Sequence, residues 1–238
     1  MNRFMAKTVD WLLLSALILA LSLWTYQRNG LWTNEMELWK DCVRKSPQKA
    51  RPNMNLGYAY LKLGIYDKAL EFTQKAIHLD PKYAKAYYNL SILYQKMGDF
   101  NQAIAMGKKS LEVDPGLHMA HYSLGGIYLE SGQYEKSVEA YRKFLEAYPY
   151  FPNVHHLLGI AYVAQKQFGK ALEEFESELK LNPYHALAHV NLGQIYWYEF
   201  QNRSKAIYHL KMALMLERFF PKRREITGLV RLLEQGTQ

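Results

Sequence analysis

An all-α chain of stacked helix pairs is predicted from three observations. The sequence repeats every 34 residues, apolar residues within each period fall at helical spacing, and prolines recur at the same step. Stepping by 34 from Leu56 returns Leu90, Leu124, Leu158 and Leu192, and the next position reads Gly57, Ser91, Gly125, Gly159 and Gly193. Three further on stand Tyr60, Tyr94, Tyr128, Tyr162 and Tyr196. Small residues follow twelve places after the Gly/Ser position, at Ala69, Ala103, Ser137 and Ala171, and Pro47, Pro81, Pro115, Pro149 and Pro183 end the units.

Each class of residue has a physical reason. Leucine and tyrosine four apart share one face of a first helix and form its apolar stripe. Glycine or serine on that helix is expected to meet alanine or serine on the second, so that the two backbones approach closely. Proline opens the turn into the next unit, where its missing N–H costs nothing. One helix pair cannot bury its apolar face alone, so stacking makes the core.

The ends depart from the pattern. NEMELWKDCVRKSP reads as the second helix of an incomplete leading unit, with Trp39 and Cys42 facing the first full repeat. In the fifth unit Gly193 and Ala206 are thirteen apart, one more than elsewhere, which lengthens that turn. After it, PKRREITGLVRLLEQ places Ile226, Leu229, Leu232 and Leu233 on one face, as a capping helix would. Gly107 falls inside a second helix, where it costs about 1 kcal/mol against alanine.

The Leu-Gly-Tyr…Ala…Pro pattern at this period resembles the tetratricopeptide repeat (TPR), over roughly residues 33–217. The resemblance implies an all-α, right-handed superhelical solenoid of about five and a half helix pairs. Its expected parts are a junction and half-repeat (27–49), five repeats (50–83, 84–117, 118–151, 152–185, 186–217) and a C-terminal capping helix (218–238). It also implies a protein or peptide ligand in a concave groove lined by the first helices. Carried over by position, the groove residues are Arg51, Asn55, Tyr58 and Lys62, then Lys85, Tyr88, Asn89 and Lys96. Tyr122 follows in the third repeat, Asn153, His156, Ile160 and Val163 in the fourth, and Asn191, Gln194, Trp197 and Tyr198 in the fifth. For any one of them the alternative is packing against a neighbouring helix. Asn55, Asn89 and Asn191 share a position from which an amide reads a peptide backbone in TPR relatives. The first two repeats present basic residues and the last two apolar and aromatic ones, which suits a ligand with one acidic and one hydrophobic end. Met54, Tyr58, Met119 and Ser123 stand where chaperone adaptors carry their carboxylate clamp, which argues against that subclass.

Catalytic signatures are missing. There is no GxSxG, phosphate loop, CxxC or HExxH, and the carboxylates of ALEEFESELK alternate with lysine as on a solvated face. His118/His121, His155/His156 and His185/His189 have ligand-like spacing. Yet His121, His155 and His189 are 34 apart and share one repeat position with Tyr87 and Asn53, so repeat packing accounts for them. The chain is expected to be no enzyme and to take no cofactor, metal or small-molecule substrate. Its net charge of +8 comes without an RNA-binding or helix-turn-helix motif, so nucleic acid is not an expected partner. The single cysteine, Cys42, rules out an internal disulfide.

WLLLSALILALSLWTYQ is of another kind. Residues 9–26 as a helix would span about 27 Å, with Trp11, Trp24 and Tyr26 at the interfaces. The expectation is a single-pass transmembrane helix at 9–26, a cytoplasmic stretch at 1–8, and repeats in the periplasm or otherwise extracytoplasmic. A cleaved signal peptide and a packed soluble helix are the alternatives. The junction also resembles that of the bacterial transmembrane-and-TPR O-mannosyltransferase family. The carrying residues are Arg28-Asn29, Trp32, Leu38-Trp39, Ser46-Pro47, Arg51 and Asn55-Leu56-Gly57. That family's catalytic membrane helices have no counterpart here. The expected function is a membrane-anchored scaffold, the alternative a non-catalytic accessory module of a membrane glycosyltransferase.

Overall fold

The computed structural model describes residues 16–23, 25, 34–217 and 222–235, and all of the regular structure among them is helical. A short stretch, α1 (16–23), is followed by α2 (Glu35–Lys45), α3 (Ala50–Lys62), α4 (Tyr66–Leu79) and α5 (Ala84–Lys96). Then come α6 (Phe100–Val113), α7 (Met119–Glu130), α8 (Tyr134–Ala147), α9 (Val154–Ala164), α10 (Phe168–Leu181), α11 (Ala186–Tyr198), α12 (Arg203–Leu216) and α13 (Arg223–Gln235). The chain divides into two compact units, residues 1–97 and 98–238.

In the first unit α3 packs on α4, and α2 and α5 flank the pair. The contact is close because Gly57 has no side chain: a Cβ there would lie 3.1 Å from the Ala69 carbonyl and 2.4 Å from the Thr73 hydroxyl. Met54, Leu56, Leu90 and Leu93 form the interior with several alanines. Asn34 starts α2 by accepting the amides of Met36 and Glu37, and Trp39 and Cys42 are half-buried on that helix.

The second unit pairs α7 with α8, α9 with α10 and α11 with α12, and α13 covers α12. Its interior is aromatic. Tyr141, Phe144 and Phe175 are at most 1% exposed, and Gly159 gives way to the Phe175 ring, 2.6 Å from where a Cβ would stand. The residue that meets the first-helix glycine is therefore the one a turn beyond the expected alanine or serine. Ser137, at the small position itself, donates to the Gly125 carbonyl at 2.8 Å. On α13, Ile226, Val230 and Leu233 are buried while Leu232 is exposed, which shifts the expected face by part of a turn. Arg223 binds the free carbonyls of Leu214 and Glu217 at the end of α12.

Turns between paired helices need one residue at positive φ. Gly64, Gly98 and Gly132 supply it at no steric cost, whereas Lys166 (φ 57°) and Gln201 (φ 51°) fill the role in the last two repeats.

The expected membrane segment and envelope location are corrected here. No helix among the described residues is long and apolar enough to cross a membrane. Residues 9–15, 24 and 26 of that segment, the stretch 1–8 and residues 27–33 of the junction lie outside the described residues.

Candidate protein-binding groove

The repeat position shared by Asn53, His155 and His189 has a common structural task. Asn53 Nδ2 donates to the Pro47 carbonyl at 3.0 Å, His189 Nε2 bonds that of Pro183 at 3.3 Å, and His155 bonds that of Pro149. Each ties the start of a first helix to the proline turn six residues before it. Because Nε2 of His189 serves as donor, its Nδ1 accepts from His209 Nδ1, 3.0 Å away. His155 instead meets Glu174 at 2.7 Å, and that carboxylate raises its pKa. Among the described residues no group of three metal-ligating side chains occurs.

The groove positions divide by depth. In the first unit Arg51, Lys85 and Lys96 are exposed, and Asn55 and Tyr88 are half-buried. Lys62 pairs with Glu35 of α2 at 2.6 Å and stands 5.4 Å over the Tyr58 ring, so its charge is partly met within the chain. That hydrogen bond holds the Lys62 ammonium above its ordinary pKa. Asn89 is buried, with Nδ2 2.8 Å from the Met54 sulfur.

In the second unit Tyr122 leans on Phe144 and Phe151 at 5.3 and 5.8 Å and belongs to the aromatic interior. Ile160 packs against the same interior. His156, 5% exposed, lies between Phe175 and His185 and accepts an amide N–H from Asn191 at 3.0 Å. Burial, reinforced by His185, lowers its pKa to about 4. Tyr122 and His156 are thus structural where surface groove positions were expected. Asn153, at φ 69°, is held by the Glu178 carboxylate on its N–H and by His185 on its side chain.

What remains accessible gathers in two clefts. One, of about 180 Å³, is lined by Val163 and Phe168 on one repeat and by Asn191, Gln194, Ile195 and Tyr198, with Glu199, on the next. The other, of about 470 Å³, is lined by Trp197, Arg203, Leu232, Leu233 and Gln235. The two are related by the repeat: Trp197 follows Val163 by 34, and Arg203 follows Phe168 by 34 plus the extra residue of the fifth turn. Trp197 and Tyr198 therefore line different clefts, not one anchor site. Phe168 and Arg203 were not among the expected groove residues. The signal for Phe168 was present, since Tyr66, Phe100, Tyr134 and Phe168 all open their second helices at the 34-residue step.

Helix pairs at this period, closed by glycine and proline, define the class. Tetratricopeptide-repeat models match residues 50–83, 72–105 and 156–222, and a TPR repeat model matches 125–166. The chain is an all-α protein of the TPR solenoid class. It is similar to the crystal structure of YrrB, described as a TPR protein with an unusual peptide-binding site: 22% identity, 81% of this chain and 99% of that one, TM-score 0.68. It is similar to MamA (residues 41 to the end) from Desulfovibrio magneticus RS-1, at 24% identity, 71% and 95% coverage and TM-score 0.66. In the APC/C hetero-tetramer Cut9-Hcn1 the match is 21% identical over 86% of this chain and 40% of that one, with TM-score 0.64. These likenesses show the fold alone. No curated protein matches the chain. None of these findings supports the O-mannosyltransferase resemblance of the junction.

Proposed function

We propose that the chain is a non-catalytic scaffold that binds an extended peptide segment of a partner protein along the first helices of residues 98–238. The carrying observation is the 180 Å³ cleft, in which two side-chain amides and the edge of an exposed tyrosine surround an apolar floor. Asn191 and Gln194 offer donors and acceptors to a peptide backbone, although one Asn191 N–H is already given to His156. Val163, Phe168 and Ile195 accept one apolar side chain of leucine size. The repeat-related cleft at Trp197 and Arg203 then receives a second side chain, with an aromatic wall and a guanidinium that favours an acidic group. This is the arrangement of interfacial hot spots, an aromatic anchor beside polar groups. YrrB, of the same fold, is described by its peptide-binding site, which agrees with the reading.

Selection of a peptide library on the immobilised full chain, followed by anisotropy titration of the enriched peptides, tests it. Tyr198→Ala, which removes an exposed ring, is expected to weaken binding about tenfold, or 1–2 kcal/mol, with unchanged helical circular dichroism. Enriched peptides that bind Tyr198→Ala and Gln194→Ala as well as the parent would refute the cleft assignment.

A further inference from the structure

A third cavity, of about 320 Å³, lies where α6 and α8 pass over α7. Its walls carry Lys108, Lys136 and Lys143 against one carboxylate, Glu139, and Leu111, Leu124 and Ala140 give it an apolar lining. Lys143 is bound to Glu139 at 2.7 Å, and Lys136 bonds Gln133 at 2.7 Å while standing 5.8 Å from the Tyr128 ring centre. Lys108 has no ion-pair partner among the described residues. Two lysines, Lys108 and Lys136, thus stand without a carboxylate partner among the described residues at the rim of an apolar hollow, while Glu146 acts with Glu139 on Lys143 and His121.

The neighbouring repeats show what is missing. One repeat on, Glu174 stands in the place of Ala140 and meets His155 at 2.7 Å. In the fifth repeat His209 fills that place, allowing for the extra residue, and meets His189 at 3.0 Å. The third repeat has the corresponding histidine, His121, lining the cavity, but alanine opposite it, and the His121 imidazole makes no hydrogen bond among the described residues. The place of Lys143 is taken by Ser177 in the fourth repeat. A partner that the chain supplies to itself in two repeats is left to come from outside in the third.

We infer that this cavity is a second binding site, which takes a glutamate- or aspartate-bearing peptide segment of a partner protein, with an adjoining apolar side chain. The carboxylate meets His121 and the lysines as Glu174 meets His155, and the apolar neighbour covers Leu111 and Leu124. The volume stands near the lower end of ligand pockets, about 300–1,000 Å³, so it suits one or two side chains more than a cofactor. Burial and the Lys143 charge keep the free imidazole below its ordinary pKa. A bound carboxylate reverses that. The site shares no lining residue with the cleft at Tyr198.

The test titrates the full chain with acetyl-Glu-Leu-Glu-Leu-amide and its Gln-Leu-Gln-Leu counterpart, and binding at this cavity, as distinct from the cleft at Tyr198, is read from the His121 resonances by NMR. The expected result is binding of the glutamate peptide alone, a His121 pKa higher by about one pH unit or more, and roughly tenfold weaker binding in 0.5 M salt. Ala140→Glu, which reproduces the fourth repeat, should abolish binding, with the melting temperature confirming the fold. Lys108→Gln with Lys136→Gln, both exposed, should weaken it at least tenfold, whereas Tyr198→Ala should leave it intact. No binding, equal binding of the glutamine peptide, or full binding to Ala140→Glu overturns the proposal. So does inorganic phosphate that matches the peptide in affinity, which would make the site one for small anions.

Discussion

The two units follow one repeat pattern with different interiors. In residues 1–97 the first-helix glycine faces Thr73, and the buried apolar residues are alanine, leucine and Met54. In residues 98–238 the corresponding glycines face Tyr141, Phe175 and Leu210, and His156 and His189 are buried among rings. The glycine fixes how near the helices come, and the residue opposite it decides how much surface the pair buries. The second repeat carries Ser91 and Gly107 at the corresponding sequence positions. The difference predicts where stability, and its dependence on pH, reside.

Tests of packing, of acid and of the turns sharpen this contrast. Phe175→Ala, at a fully buried ring, should cost about 3–5 kcal/mol, and Thr73→Ala, its counterpart, only about 1 kcal/mol. Hydrogen exchange resolves the two units, and equal losses would break the comparison.

Acid should act next most strongly, and on the second unit. Burial depresses the pKa of His156 and of His209 to about 4, and lowers that of His189. Above pH 6.5 these rings are neutral folded or unfolded and cost nothing. Below it the unfolded chain takes up protons that the folded one refuses, so stability falls from about pH 6.5 to about pH 4. His155 works the other way, since Glu174 raises its pKa. The contribution of that pair is present at low pH and lost as pH rises through the folded pKa, so it offsets part of the fall. The net loss from pH 7 to 5 is on the order of 3 kcal/mol. His209→Gln should flatten the profile measured by urea titration, and an unchanged slope would mean the histidines are not the cause.

The smallest effect concerns the turns. Lys166→Gly relieves a left-handed backbone and should stabilise by about 0.5–1 kcal/mol, as a small rise in melting temperature. The reverse change, Gly132→Lys, should lose a similar amount.

The fold was legible because a 34-residue period leaves few choices: Leu56, Gly57 and Tyr60 with their repeats state helix, face and close approach together. The expected groove positions share a phase in the sequence but not a depth in the structure. Asn191, Gln194, Tyr198 and Val163 do share a cleft. Tyr122 and His156 share a repeat position with Met54, Tyr88 and Val190, none of them exposed, and lie against Phe144 and Phe175. Arg203 was hidden by the one-residue insertion, which displaces it from the phase of Phe168. The apolar N-terminal stretch suggested a membrane span by composition, but no helix among the described residues is long and apolar enough to be one.

The most direct test of the central reading is methyl NMR of the full chain with a library-selected peptide. Binding in the proposed cleft predicts shifts at the Val163 and Ile195 methyls, lost in Tyr198→Ala, with those of Leu56 and Leu90 unmoved. A bound peptide that leaves Val163 and Ile195 unshifted would contradict it.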